Sequence, residues 1–190
     1  MPCKSISFAL AVTLIVIAVP SYAATLKTGD SAPDFKATGV DGKTYSLPED
    51  AAATVICFTC NQCPVSQAYE KRFIEFAKKY EKKGVKFIAI NVNYRESFDE
   101  MKRRAKERGY PYPYAFDASG KSCFAYGARK TPHLFLVDGD GKIAYQGAFD
   151  DNFVNPKRGY LVEAVEAVLD GKKPAVDKTP AIGCAIQPRP

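Results

Sequence analysis

The stretch from Thr54 to Pro64 leaves this chain few folds to choose from. Thr54-Val55-Ile56-Cys57-Phe58 is a short β-branched and apolar run, the pattern of a strand buried on both faces. It stops at Cys60-Asn61-Gln62-Cys63. Pro64 follows, and proline suits the first turn of a helix, where its missing N–H has no partner to lose. From Val65 to Ala77 apolar residues recur at helical spacing. The chain thus passes from a buried strand into a helix through two cysteines separated by two residues. Free N–H groups and the helix dipole favour a thiolate at such a place, and thiols in this spacing fall well below the free value of about 8.5. Dithiol exchange fits best, with Cys60 at the exposed end as the attacking sulfur and Cys63, one turn in, as the resolving one. Structural zinc is the rival reading. It normally needs four ligands, and the single histidine, His133, is distant in sequence. Three core cysteines without chemistry are the plainest alternative.

A length of 190 residues suggests one folded domain, and 46% hydrophobic with 25% charged residues is enough apolar material for a core. The net charge of +6 clusters only at Lys102-Arg103-Arg104 with Lys106 and Arg108, interleaved with Glu100 and Glu107. No aromatic platform accompanies that run, so it fits a solvated helix face and gives no indication of a nucleic-acid partner. Residues 1–23 have the form of a secretory signal: Lys4 in the n-region, an apolar stretch from Phe8 to Val19 and a small-x-small site at Ser21-Tyr22-Ala23. The mature chain is then expected to start near Ala24, in an extracytoplasmic, periplasm-like compartment where disulfides persist, with no stable membrane association. An uncleaved anchor is the alternative. Cys3 leaves with the signal, and Cys57, Cys60, Cys63, Cys123 and Cys184 remain. An odd number leaves at least one thiol unpaired or free for exchange.

Further along, Asp41-Gly42 predicts a hairpin between strands near 35–38 and 43–46. A helix after Pro64 ends near Gly84, and the near-continuous apolar run from Val85 to Val92 predicts a strand of a parallel sheet. Ser97 with Glu100 forms a capping box that opens a basic helix to about Arg108. The tyrosine and proline loop 110–114 leads to a short strand at 114–116, followed by a helix over 119–126 closed by Gly127. Strands over 133–137 and 142–147 flank the turn Asp138-Gly139-Asp140-Gly141. Asn155 is expected to cap the last helix, with Pro156 at its first position and Gly171 beyond its end. These elements make an α/β three-layer domain over residues 24–171, with the cysteine turn at the carboxyl end of a strand. Residues 172–190 form an irregular tail. Its apolar island Ala181-Ile182-Gly183-Cys184-Ala185-Ile186 predicts that the tail docks back on the domain.

With these motifs in hand, the chain resembles the thioredoxin-like superfamily over roughly Leu26 to Leu169, in its redoxin and peroxiredoxin-like (AhpC/TSA-type) branch. Gly29-Asp30-Ser31-Ala32-Pro33-Asp34-Phe35 looks like that branch's opening segment. Cys60-Asn61-Gln62-Cys63 stands where thioredoxins carry their dithiol, and Thr131-Pro132 where they carry a cis-proline facing it. The resemblance implies a thioredoxin-like fold: a central mixed sheet, helices on both faces and an N-terminal β-hairpin extension. It also implies that Pro132 is cis and that the backbone at Thr131 binds a partner's extended segment. Peroxiredoxins place their reactive cysteine before a proline, as in Cys63-Pro64. Their threonine three positions earlier is Cys60 here, and their proline four positions before that is Ile56. A cation beside the reactive sulfur would have to come from a residue such as Arg129. Dithiol exchange therefore ranks ahead of thiol peroxidase. Sco-type copper chaperones share the fold and would use Cys60, Cys63 and His133 for Cu(I), though they space their cysteines by three residues.

Cys57 lies within the strand and is expected to be structural. Cys184 is expected to form a disulfide, resolving or structural, with Cys123 or with one active-site cysteine. Asp150-Asp151 after the hairpin fits a turn. The expected activity is that of a thiol–disulfide oxidoreductase needing no cofactor and no metal. It would act on protein disulfides or dithiols, with a protein as redox donor.

Overall fold

The computed structural model describes residues 26–188. The leader expected over residues 1–23 lies outside them. The strands are β1 (Ala37–Gly39), β2 (Thr44–Tyr45), β3 (Ala53–Phe58), β4 (Val85–Asn91), β5 (Tyr114–Phe116), β6 (Lys130–Thr131), β7 (His133–Asp138), β8 (Ile143–Gly147) and β9 (Cys184–Ala185). The helices are α1 (Pro64–Glu81), α2 (Phe98–Arg108), α3 (Lys121–Tyr126) and α4 (Tyr160–Leu169).

Seven strands form one mixed sheet in the order β2-β1-β5-β4-β3-β7-β8. β3 runs parallel to β4, and β4 to β5, while β7 and β8 run antiparallel to their neighbours. This is the thioredoxin-like arrangement, extended by the antiparallel β1–β2 hairpin at one edge. Every residue of β3 is buried, as a central strand covered on both faces must be. Alternation sorts its side chains. Val55 and Cys57 join the cluster with Tyr69, Phe73, Phe76 and Tyr80 of α1 and Leu161 and Val165 of α4. Ile56 and Phe58 face the other way, against Phe35, Phe135 and the Cys123 and Tyr126 side chains of α3.

The α1 side chains at 69, 73, 76, 77 and 80 are all buried, the one-face spacing that pins this helix to the sheet. Each large apolar side chain removed from water there contributes about 1.5–3 kcal/mol. The capping box at the start of α2 is complete: Ser97 Oγ accepts from Glu100 N–H, and Glu100 accepts from Ser97 N–H.

The last helix starts later than the sequence predicts. Asn155 does not cap it. The Asn152 side chain accepts from the Val154 and Asn155 N–H groups, and the Asp151 carboxylate accepts from Lys157 and Arg158 N–H. These side chains satisfy the backbone in a loop, so α4 begins only at Tyr160, after Gly159.

Beyond α4 the chain returns across the domain. Gln146 N–H donates to Asp177 carbonyl, Thr179 N–H to Gln146 carbonyl, and Ala148 N–H to Thr179 Oγ1. The path ends in a second sheet of two short strands, β6 and β9, with Thr131 opposite Cys184.

Candidate active site

β3 carries the chain to Thr59, whose N–H donates to Ile90 carbonyl, and Cys60-Asn61-Gln62 turns it into α1. Cys63 takes the extended N-cap position of that helix, and Pro64 is at its start. Facing this turn, the Thr131–Pro132 peptide is cis. Cys60 Sγ lies 3.4 Å from Thr131 Oγ1, and Cys63 Sγ lies 2.9 Å from the Thr131 carbonyl oxygen. The tail adds a third sulfur: Cys184 Sγ is 3.0 Å from Cys63 Sγ.

The sequence expects Cys60 at an exposed end. Instead Cys60 is 7% exposed and Cys63 2%. Both sulfurs meet Thr131, and Cys63 also meets Cys184, so residues far along the chain pack against the turn. Cys184 is the exposed cysteine.

The two thiols sit in different surroundings. Cys63 is lowered, first by its hydrogen bond with the Cys60 thiol and further by Cys184, against the opposing effect of burial. Cys60 is pushed up, first by that same bond, then by burial and by Glu96.

Glu96 escaped sequence reasoning. It is buried, and its carboxylate accepts from Asn61 N–H and Gln62 N–H, both at 2.9 Å, and from Asn91 Nδ2 at 2.6 Å. Tyr114 OH donates to Asn61 Oδ1 at 2.9 Å, tying the same turn to β5. Two of the N–H groups expected to serve a thiolate are thus committed to a carboxylate, which shapes the turn and disfavours charge on Cys60. Only a polar residue beside the Ser97 cap hinted at it. Glu96→Ala should lower stability by about 2–4 kcal/mol, since three donors, the buried Asn91 amide among them, lose a charged acceptor. Urea unfolding measures this, and Glu96→Gln should recover part of it.

Cys57 is fully buried in β3, and burial pushes its thiol up. Cys123, on α3, is buried in the core and pushed up to about 11, again by burial. Neither shares the sulfur cluster: the sulfur beside Cys184 is that of Cys63, and the cysteines of the described residues are free thiols, so the disulfide expected of Cys184 is not formed. The sulfur contacts of Cys63 are Cys60 and Cys184, and Arg129 meets this region through its backbone: its carbonyl accepts from Ile186 N–H and its N–H donates to His133 Nδ1 at 3.4 Å. Tyr110, Tyr112 and Tyr114 pack together, with Tyr110 OH donating to Glu70. Arg104 and Arg108 of the basic helix also pair with Glu70 on α1.

His133 starts β7, packs against Phe135, and is lowered by burial from 6.5 to about 4. Among the described residues no group of three His, Cys, Asp or Glu is placed to hold a metal. A neutral imidazole also suits the Arg129 N–H it accepts. The unfolded chain takes up this proton near 6.5 and the folded chain only near 4. Stability is therefore lost as pH falls between those values, by roughly 3 kcal/mol, with no further loss from this group below them. Unfolding at pH 7 and pH 4.5 should show this excess pH dependence in the natural chain and not in His133→Gln.

Fold and site define a class by themselves: a thioredoxin-like protein with a sulfur pair set between a helix start and a cis-proline. The comparisons agree. The AhpC/TSA family profile matches residues 28–146. A thiol-disulfide oxidoreductase ResA of Bacillus thuringiensis is 30% identical over 125 residues, 64% of this chain and 69% of that protein. A solved structure of an uncharacterized conserved protein from Geobacillus kaustophilus is 36% identical, with a TM-score of 0.81 over 87% of this chain and 94% of that one. The thioredoxin domain of a thiol-disulfide oxidoreductase from Bacteroides vulgatus shares the fold at 21% identity, with a TM-score of 0.56 over 63% of this chain and 86% of that one. The chain belongs to the AhpC/TSA family, among thioredoxin-like thiol–disulfide oxidoreductases.

Proposed function

We propose that this chain exchanges disulfides with protein partners through Cys60 and Cys63, in an extracytoplasmic compartment. The observation that carries the reading is the pair itself: two sulfurs at the start of α1, facing the Thr131–Pro132 cis peptide and in contact with Thr131. In this cycle one sulfur of the pair takes up the partner in a mixed disulfide. The other sulfur then attacks it, closes the Cys60–Cys63 disulfide and releases the partner sulfur as a thiol. The reverse sequence oxidises a dithiol partner, and the reduction potential of the pair sets the direction.

The leader-like residues 1–23 and the relatives named ResA support an exported setting. Among the described residues no helix is long and apolar enough to cross a membrane. The cycle calls for no cofactor, and a second protein supplies or removes the electrons. Thiol peroxidase chemistry is a second reading, supported by the low thiol value of Cys63 directly before Pro64.

Insulin reduction with an external dithiol separates the two. Catalysed reduction that requires both Cys60 and Cys63 supports exchange. Inactivity toward insulin, with Cys63 rapidly consumed by hydrogen peroxide, would replace it with the peroxidase.

A further inference from the structure

Both sulfurs of the pair are buried, whereas Cys184, in contact with one of them, is exposed. A route for partner sulfurs is therefore needed, and the tail supplies one. We propose that Cys184 is a third redox cysteine, carrying disulfide bonds between partner proteins at the surface and the buried Cys63. The proposal rests on the exchange reading above.

Three independent features place Cys184 there. Its sulfur is 3.0 Å from Cys63 Sγ. Its strand pairs antiparallel with β6, Thr131 opposite Cys184 and Lys130 opposite Ala185, so the tail lies along the cis-proline edge as an added strand. Finally, the approach is built for closeness. Gly183 has φ +152°, and a Cβ there would come within 2.1 Å of the Thr131 carbonyl oxygen. Any other residue would hold the tail off the edge and Cys184 away from Cys63. Hydrogen bonds on both sides hold the segment in register: Thr179 to Gln146 and Ala148 before it, and Ile186 to Arg129 and Gln187 to Tyr94 after it.

The relay balances at each step. Cys184 loses its proton and attacks a partner disulfide, forming a Cys184–partner disulfide and releasing one partner thiol. Cys63 thiolate attacks Cys184 Sγ, forms Cys63–Cys184 and releases the second partner thiol. Cys60 then loses its proton and attacks Cys63 Sγ, forming Cys60–Cys63 and returning Cys184 to a thiol. Two electrons pass from the Cys60/Cys63 dithiol to the partner disulfide, and Cys184 ends unchanged. The short contact leaves the second step little reorganisation, since attacking and attacked sulfurs are already neighbours.

Removing Cys60 should trap the relay at its second stage. The full chain carrying Cys60→Ser is treated with one equivalent of oxidised glutathione, and its peptides are mapped without reduction. The expected product is a Cys63 peptide joined to a Cys184 peptide in most molecules. Cys63 joined to glutathione with Cys184 a free thiol would overturn the proposal. In the natural chain the same treatment should give Cys60–Cys63. Its absence would refute the exchange reading itself, whereas its presence without the Cys63–Cys184 product in the variant would refute only the relay. A second variant, Cys184→Ser, keeps the strand pairing, which is backbone only. It should slow insulin reduction at least tenfold, while oxidised glutathione still closes the Cys60–Cys63 disulfide in that variant. Turnover equal to or above that of the natural chain would show the tail to be a cover and overturn the relay.

Discussion

Replacing Cys63 with alanine should reduce catalysed insulin reduction by at least about a thousandfold, to the level of the external dithiol alone. Cys63 is one half of the proposed exchanging pair, and its sulfur lies 3.0 Å from Cys184 Sγ. No neighbouring thiol can replace it: Cys57 is sealed in β3 and Cys123 in the opposite core cluster, both pushed up by burial. Cys60→Ala should be about as severe in turnover but different in kind. It removes the bond that contributes most to holding Cys63 down, so the thiolate absorbance near 240 nm should vanish at a higher pH than in the natural chain. Cys57→Ala and Cys123→Ala, by contrast, should keep turnover within about twofold, their cost being a small cavity worth about 1 kcal/mol. Equal loss of turnover in all four variants would point to unfolding rather than chemistry, so circular dichroism accompanies each assay.

Asp150→Ala should cost about 3–5 kcal/mol of stability, the largest effect expected outside the sulfur cluster. Asp150 is buried just beyond β8. It accepts from Tyr69 OH at 2.6 Å and pairs with Arg72, whose guanidinium also donates to Phe153 carbonyl and lies 4.3 Å over the Tyr69 ring. Removing the carboxylate leaves a guanidinium and a phenol on α1 without their acceptor, at the junction between that helix and the loop before α4. Breaking one side of such a pair is costly even where the intact pair adds little, because the remaining charge stays poorly solvated. Asp150→Asn should lose less, since its amide oxygen can still accept from Tyr69. Denaturant titration gives both values, and a loss below about 1 kcal/mol for the alanine variant would show the cluster to be solvated.

The local signals in the sequence proved sound because they report short-range physics. A buried strand ending at Phe58, a proline-started helix and the Ser97–Glu100 capping box each need only a few neighbouring residues, and each formed as predicted. The start of α4 failed because Asp151 and Asn152 took the backbone N–H groups that Asn155 was expected to cap, and several side chains compete within that one loop. What the motif could not show came from long range. Glu96 approaches the cysteine turn from beyond β4, 35 positions from Asn61, and Cys184 reaches Cys63 across 121 positions. Nothing in the spacing of Cys60 and Cys63 tells that a tail cysteine will sit beside one of them. The apolar island around Cys184 pointed to docking, but its docking site depends on β6 and on a glycine that tolerates the Thr131 carbonyl.

The most direct test is a redox titration of the full chain, with the bonded cysteines mapped at each potential. Cys60 and Cys63 should join in a single two-electron step somewhere between about −270 and −120 mV, the span known for proteins of this chemistry. Two free thiols at positions 60 and 63 throughout that span would contradict the account.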